Sequence, residues 1–271
     1  SIMQPKLVFD LFGIAFTVKS YVLFSLLGAL AGIAAALPLL KREELPLRHA
    51  LLLLPAMAAV FLVGARLLNY AINPAAYGGA LHVYTLRLAG LSVYGGILSA
   101  LCVVLLYSRL VRASAWRFLD AFVLPAGLAF ALARVGCYLN GCCAGVATNS
   151  RWGVAFPMSA GETELISSLF ALIGNSNPKV YVFPTQLFEL SLALLGLIPV
   201  LWLYFRQRLP HGAAFLLYGI WFSVMRLAIL PLRSLPYPTM ISHIFYPVFY
   251  VLLIIIGLVA LLLLYKKNRA R

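Results

Sequence analysis

Long apolar segments alternate along the chain with short segments that are rich in Lys and Arg. Seven apolar segments are each long enough for an α-helix to cross about 30 Å of hydrocarbon, which takes about 20 residues. They are residues 20–40, 48–68, 88–108, 117–137, 183–205, 212–232 and 244–265. Residues 165–174 form a shorter apolar run, which is predicted to lie at the membrane surface or to re-enter it. The pattern predicts an all-α integral membrane protein with about seven transmembrane helices.

Composition supports a membrane protein and argues against a soluble one. The 271 residues are 63% hydrophobic and only 10% charged, with a mean hydropathy of +0.99, whereas charged residues make up about 25% of a typical soluble domain. The net charge of +14 comes from 21 basic and seven acidic residues, and most of the bases lie between apolar segments. That distribution indicates membrane orientation, so membrane lipids are the predicted partners and nucleic acid is not.

The basic residues also predict which way the chain crosses the membrane. Connections that fall on one side of a seven-helix arrangement hold twelve of the 21 bases: Lys41, Arg42, Arg48, Arg109, Arg112, Arg117, Arg206, Arg208, Lys266, Lys267, Arg269 and Arg271. The positive-inside rule makes this side cytoplasmic. The N-terminus is then outside, the C-terminus is cytoplasmic, and residues 138–182 form a small extracytoplasmic head between helices four and five of one membrane domain, 1–271. Aromatic residues near the segment ends, Trp116, Trp152, Tyr246 and Tyr250, are predicted to form an interfacial belt.

Five polar residues lie where the membrane should disfavour them: Arg66 and four others, which the predicted topology places in the outer leaflet. Arg134 ends the fourth apolar segment, Gln186 and Glu189 begin the fifth, and Arg226 lies in the outer half of the sixth. Ionised groups at such depths usually face a cavity or a partner. We expect the four to converge, and two arginines in a cavity suit a phosphate, because the guanidinium fork matches its oxygens. An anionic phospholipid is the expected ligand. The alternative is snorkelling together with a single Arg–Glu pair.

Glycines cluster beside these polar residues. Gly95 and Gly96 begin the third segment, and Asn140 and Gly145 follow Arg134 in "RVGCYLNGCCAG". Glycine permits a close approach of the backbone to a headgroup, and it also permits close helix packing. Both readings stay open for Gly95 and Gly96, whereas a shaped loop is favoured for residues 136–145.

Three cysteines, Cys137, Cys142 and Cys143, lie in the same stretch. Their C-x4-C-C spacing without a neighbouring His is poor for zinc, so neither a metal nor another cofactor is predicted. A redox pair and a covalent nucleophile at Cys142 are alternatives. The simplest reading is that small polarizable side chains fill a cavity wall. Cys102, in the third segment, is assigned to packing.

Several motifs together resemble the bacterial prolipoprotein diacylglyceryl transferases: "KSYVLFSLLG", "SVYGGILSA", "ARVGCYLNGCCAG", "WGVAFP", "FPTQLFEL" and "HGAAFLLYGIWFSVMRLAILPLR". The resemblance implies a seven-span inner-membrane enzyme that moves the diacylglyceryl group of phosphatidylglycerol to the lipobox cysteine of a preprolipoprotein and releases glycerol phosphate. It also implies functional positions by match to the family's motifs: Tyr21, Arg134, Asn140, Gly145, Gln186, Glu189, Arg226 and Arg233.

The departures from the family pattern affect the residues that would handle protons. Cys137 and Cys142 replace an Asn and a Glu of the signature, and Tyr94 replaces a His before the glycine pair. The base that deprotonates the acceptor is therefore open, and the candidates are Glu189, Tyr94, His243 and a thiolate of Cys137 or Cys142. Two other functions remain as alternatives. One is a related phospholipid-dependent transferase with a different protein or small-molecule acceptor, and the other is a non-catalytic lipid-binding paralogue.

Overall fold

The computed structural model describes residues 6–11, 14–74, 91–156, 180–206, 209–235 and 237–270. Within these ranges, seven helical stretches are long and apolar enough to cross a membrane, as predicted. The helices are α1 (Ser20–Arg42), α2 (Leu47–Ile72), α3 (Val93–Leu110), α4 (Ala115–Asn140), α5 (Thr185–Arg206), α6 (Ala213–Ile229) and α7 (Tyr246–Arg269). A 3₁₀ turn, Leu230–Leu232, follows α6, and a π-helical turn, Ile241–Phe245, precedes α7.

Several helix boundaries differ by a few residues from the sequence prediction, and two of the differences lie near the polar residues. The third helix begins at Val93 and not at 88. The fourth continues to Asn140, so residues 138–140, which the prediction assigned to the head, belong to the helix. The predicted segment stops at residue 137, but the helix ends only where Gly141 adopts a left-handed conformation, φ 71°. Glycine tolerates that conformation at a helix C-terminus. The run 165–174 lies outside the described residues.

Two short antiparallel strand pairs were not predicted. β1 (Lys6–Leu11) pairs with β2 (Ile14–Lys19) immediately before α1, and Leu11 faces Ile14 across a two-residue connection. β3 (Val154–Phe156) pairs with β4 (Val180–Val182) ahead of α5. Val, Ile, Phe and Thr favour extended backbone, but both strand pairs are too short to stand out beside 20-residue apolar segments.

The bundle is organised around α4, α5 and α6. α1 and α5 pack against α4, α6 packs against α5, α2 pairs with α3, and α7 packs on α6. Gly95 of α3 meets Gly64 of α2 so closely that a Cβ on Gly95 would collide with the Gly64 carbonyl, and a Cβ on Gly96 would collide with the Phe61 ring. The structure therefore places Gly95 and Gly96 in a helix–helix contact.

Buried acidic side chains join the helices at the end of the bundle where the basic connections lie. Glu43 is 3% exposed. It accepts a hydrogen bond from the Tyr204 hydroxyl at 2.5 Å and contacts His211 Nδ1 at 2.7 Å. Asp120 of α4 accepts hydrogen bonds from the backbone N–H groups of Gly212 at 2.6 Å and Phe215 at 2.8 Å. Asp120 thus satisfies donors at the N-terminus of α6, which lack partners within the helix.

Replacing Asp120 by Asn tests this anchor. An amide turns one acceptor into a donor that faces a backbone N–H, so Asp120→Asn is expected to lower the free energy of unfolding by about 1–3 kcal/mol. Denaturant titration of the protein in detergent micelles measures the change. Glu44→Gln is the matched control, since the Glu44 side chain is 78% exposed and its ion pair contributes little. Equal effects of the two substitutions would contradict the assignment.

Candidate active site

Glu189 is the centre of the buried polar residues. Its side chain is 1% exposed on the first turns of α5. Arg134 Nε of α4 lies 2.8 Å from Glu189 Oε2, and Arg226 Nη1 of α6 lies 2.5 Å from Oε1. Arg233, just after the 3₁₀ turn, places Nη1 3.6 Å from the same Oε1. The predicted convergence of Arg134, Glu189 and Arg226 is therefore correct, and Arg233 joins them.

The charges of this cluster do not balance. Among the described residues, Glu189 is the one carboxylate paired with these three arginines. Their side chains are 7%, 6% and 13% exposed for Arg134, Arg226 and Arg233. Burial, and then the neighbouring Arg226, lower the pKa of Arg233 below its usual range, although Glu189 acts in the opposite direction. Two buried positive charges are left without a counter-charge, and such an arrangement is costly unless an anion joins it. A single Arg–Glu pair, the alternative reading, does not describe this site.

A cavity of about 70 Å³ lies beside the excess charge. The side chains that line it include Arg134, Arg226, Arg233, Tyr94, Tyr237, Tyr246, Tyr250 and Cys143. One water molecule needs roughly 10–15 Å³ of cavity, so this space takes a group of about five non-hydrogen atoms, the size of a phosphate. The cavity is suited to an anionic group and is too small for a whole lipid.

Unpartnered polar atoms surround the cavity. Of the buried side-chain N and O atoms in the described ranges, three lack a partner with hydrogen-bond geometry: the Tyr94 hydroxyl, Arg226 Nε and Gln186 Oε1. Tyr94 and Arg226 both line the cavity. Buried donors rarely stay unsatisfied, because each unmade hydrogen bond costs free energy. The two unpartnered donors therefore indicate that the cavity binds a ligand with acceptor oxygens.

The start of α5 holds the loop that follows α4. Gln186 Nε2 donates a hydrogen bond to the Cys142 carbonyl at 2.6 Å, and Thr185 Oγ1 donates to the Cys143 carbonyl at 3.1 Å. Gly145 forms a β-bridge with Arg233, and its N–H donates to the Phe183 carbonyl at 2.9 Å. Gln186 and Gly145 thus fix the loop and the Arg233 segment, and the structure gives neither a direct place in the cavity wall.

The three outer cysteines gather at one edge of the site. All are free thiols, with Cys137 buried, Cys142 partly buried and Cys143 exposed, and their Sγ atoms lie within 4.8 Å of one another. The C-x4-C-C spacing argued against a metal at these cysteines, but the fold brings the three thiols close together despite that spacing. Cys143, and not the predicted nucleophile Cys142, lines the cavity. Hydrogen bonds from the Cys137 and Cys142 thiols, and then Arg134 and Arg233, lower the Cys143 pKa.

Three other predicted site residues do not line the cavity. Tyr21, on the first turn of α1, packs closely against Gly136 of α4. Asn140 ends α4, and its side chain hydrogen-bonds to Cys142. His243 is exposed on the π-helical turn, with Nδ1 3.2 Å from the Thr239 carbonyl oxygen. Of these three, His243 has the least support from the structure as a substrate contact.

Three tyrosines of the cavity were not predicted as site residues. Tyr246 and Tyr250 were assigned to an interfacial belt, but they are 5% and 1% exposed and line the cavity. That assignment is wrong for both. Tyr237 lines it too, and its hydroxyl accepts a hydrogen bond from Asn69 Nδ2 at 2.9 Å. The four-residue spacing of Tyr246 and Tyr250 puts them on one helix face, a signal that could have identified them as a pair.

Seven membrane-length helices with a buried cationic cavity at one end define a multi-pass membrane protein with a polar site inside the bundle. A sequence profile of the family described as prolipoprotein diacylglyceryl transferase matches residues 7–266. The chain belongs to this family, which is bacterial, as the resemblance predicted.

Individual relatives agree with the profile, and each is named phosphatidylglycerol–prolipoprotein diacylglyceryl transferase. The protein of Nitratidesulfovibrio vulgaris is 28% identical over 162 residues, which cover 59% of this chain and 51% of the relative. That of Clostridium tetani is 32% identical, over 54% of this chain and 53% of the relative. That of Clostridioides difficile is 26% identical over 85% and 84%. In the first two comparisons the chain spans about half the length of the relative.

Replacing Glu189 by Gln tests the charge imbalance. The substitution leaves three buried arginines without their carboxylate, so we expect a loss of about 3–5 kcal/mol in the free energy of unfolding. Added glycerol 3-phosphate should raise the thermal midpoint of Glu189→Gln more than that of the parent protein, because the anion replaces the missing charge. Thermal unfolding in detergent micelles measures both effects. An unchanged midpoint without the anion would contradict the prediction.

Proposed function

We propose that the protein transfers the diacylglyceryl group of phosphatidylglycerol to the lipobox cysteine thiol of a prolipoprotein and releases glycerol phosphate. Family membership supports the reaction class, and the printed names of the relatives supply the lipid donor and the protein acceptor. The observation that carries the proposal for this chain is the buried excess of arginine over carboxylate beside a phosphate-sized cavity.

The arginine cluster matches the way in which charge develops in this reaction. The phosphodiester of the donor carries one negative charge, and the glycerol phosphate that leaves carries up to two once its carbon–oxygen bond breaks. A site with two uncompensated positive charges therefore stabilises the leaving group more than the bound donor, which is what lowers a reaction barrier. Arg226 Nε and the Tyr94 hydroxyl supply donors that no group within the described ranges accepts.

Glu189 is assigned a positioning role in this mechanism. Both of its carboxylate oxygens contact guanidinium groups, at 2.8 Å from Arg134 and at 2.5 Å from Arg226. A carboxylate held in this way stays ionised and has no oxygen directed at an acceptor thiol. Glu189 therefore holds the arginines in place and is a poor candidate for the base that removes the thiol proton.

The family relationship and the basic residues also support a cellular location. We place the protein in the bacterial inner membrane, with the N-terminus outside and the C-terminus in the cytoplasm. Asp120, Glu43 and His211 lie at the end of the bundle that carries the basic connections, and the arginine cavity lies at the other end. The site would then open to the extracytoplasmic leaflet, where a secreted prolipoprotein meets phospholipid.

Product analysis tests the proposed reaction. The purified full-length chain is incubated with phosphatidylglycerol micelles and a lipobox peptide, and mass spectrometry follows the peptide. The expected result is the diacylglyceryl mass increment on the peptide cysteine, with one glycerol phosphate released per transfer. Glycerol phosphate release without a modified peptide would indicate a different acceptor. The lack of both products would indicate a lipid-binding protein without catalysis.

Arginine substitutions locate the reaction in the cavity. Arg134→Ala and Arg226→Ala are each expected to reduce turnover by at least about 100-fold, the typical cost of removing one preorganised donor to a developing anion. Arg109→Ala, in the last turn of α3 at the opposite end of the bundle, should leave turnover unchanged. Membrane-fraction yield and thermal midpoint verify folding of all three. Full activity of both cavity variants would contradict the assignment.

A further inference from the structure

The three outer cysteines form a group with the dimensions of a metal site. Cys137 lies in the last turn of α4, and Cys142 and Cys143 lie in the loop directly after it. All three Sγ atoms lie within 4.8 Å of one another. In a tetrahedral zinc site with Zn–S bonds of about 2.3 Å, neighbouring sulfurs are about 3.8 Å apart. Movements of about an ångström would suffice to bring the thiols into such a site.

The backbone of this loop is constrained in an unusual conformation. Gly141 and Cys143 both have positive φ, 71° and 61°. A left-handed conformation is uncommon for a residue other than Gly, and where it occurs at a functional site the surrounding structure enforces it. Here Gln186 and Thr185 bind the carbonyls of Cys142 and Cys143. Two side chains of α5 therefore hold the loop in the turn that brings both thiols beside Cys137.

Positive charge lies beside the cysteines. Arg134 and Arg233 line the same cavity as Cys143, and both belong to the cluster that has too few carboxylates. Three thiolates with one divalent cation carry a net charge of −1. A complex of this charge would partly balance the excess positive charge of the arginines, whereas three protonated thiols would not. Thiolates are also the form in which cysteine binds metals.

We propose that Cys137, Cys142 and Cys143 bind one Zn²⁺ through three thiolates and leave its fourth position open to an external thiol. Three protein ligands with one open position is the arrangement of catalytic zinc sites. Cys143 also lines the cavity with Arg134, Arg226 and Arg233, so the open position would face the place proposed for the phosphate. Within the described residues, this is the one group of three cysteines at metal-binding distance.

A metal at this site would activate the acceptor thiol, for which the sequence offers no clear base. This part of the inference depends on the proposed function. An acceptor thiol held by the zinc of these three cysteines would lose its proton to water and be present as a thiolate. The thiolate sulfur then attacks the glycerol carbon, the new carbon–sulfur bond forms, and the carbon–oxygen bond breaks with its electron pair on the phosphate oxygen beside the arginines. The neutral thioether product is a weaker ligand than a thiolate and dissociates.

The same chemistry argues against Cys142 as a covalent carrier. Diacylglyceryl transfer to a protein cysteine would give a thioether. A second transfer would then have to expel an alkyl-bound thiolate from a saturated carbon, without the charged phosphate that makes the first step favourable. A metal-bound acceptor thiolate completes the reaction in one displacement and needs no such step.

Metal analysis of the full-length protein tests the site without reference to activity. The protein is purified in detergent with a reductant, dialysed against dilute ZnCl₂ and then against metal-free buffer, and its zinc is measured by mass spectrometry of the elements. Titration with Co²⁺ reports thiolate ligands through sulfur-to-metal charge-transfer absorption. The expected result is one zinc per chain and a thiolate–cobalt spectrum.

Cysteine variants assign the ligands. Cys137→Ser, Cys142→Ser and Cys143→Ser should each weaken Zn²⁺ binding at least tenfold, because each removes one of three ligands. Cys102→Ser is the matched control, since Cys102 is an exposed thiol in the middle of α3, and it should bind zinc as the parent protein does. Failure of the reduced protein to bind zinc, binding that survives all three substitutions, or a disulfide among the three cysteines despite the reductant would overturn the proposal.

The metal site and the proposed function can fail separately. If zinc binds with the expected ligands but no lipid is transferred, the site stands and the proposed function fails. If lipid transfer is found and proceeds at the same rate after a chelator has removed the zinc, the proposed function stands and the metal has no part in activating the thiol. Loss of transfer on chelation, with recovery on adding Zn²⁺, is the result expected if both are correct.

Discussion

Glu189 holds arginines from two helices and from the segment after one of them within 3.6 Å of its carboxylate. Among the described residues, one carboxylate is paired with three guanidinium groups, and the site depends on this imbalance of charge. The carboxylate fixes the guanidinium groups so that they need not rearrange when an anion arrives. It also neutralises only part of their charge, so the protein retains a buried attraction for phosphate. A balanced cluster would be more stable but would bind no anion.

The two ends of the bundle use buried charge in different ways. At the end with the basic connections, Asp120 and Glu43 have their oxygens occupied by backbone N–H groups, a tyrosine and a histidine. At the other end, Arg226 Nε and the Tyr94 hydroxyl remain unpartnered beside a cavity. The satisfied end stabilises the connections between helices. The end with the cavity has the properties of a ligand site, since no group among the described residues makes hydrogen bonds with these two donors.

Much of the architecture could be predicted because the bilayer imposes a simple rule on sequence. Seven apolar segments gave seven membrane-length helices, and the cost of burying Arg134, Glu189 and Arg226 in lipid predicted that they meet. The rest depends on tertiary structure. Tyr246 and Tyr250 look like interfacial aromatics until the rotation of α7 is known, and both face the cavity. The last turn of α4 extends to Asn140, and its end is set by the left-handed conformation of Gly141, which apolarity alone does not reveal.

The clustering of the three outer cysteines could not be predicted from the sequence either. Their C-x4-C-C spacing carries little information, because metal-ligand motifs are recognised by regular local structure. Here the geometry comes from a helix end, a left-handed residue at Cys143, and two hydrogen bonds from α5. The three thiols gather at the edge of the arginine cavity, because Cys143 also lines that cavity.

The central claim is that the excess positive charge of the arginine cluster holds a lipid phosphate. Cryo-electron microscopy of the full-length protein in phosphatidylglycerol nanodiscs tests it most directly. The account predicts phosphate density in the cavity, within hydrogen-bonding distance of Arg226 Nε and the Tyr94 hydroxyl. A cavity filled by a carboxylate of the chain itself, with the lipid phosphates elsewhere, would contradict it.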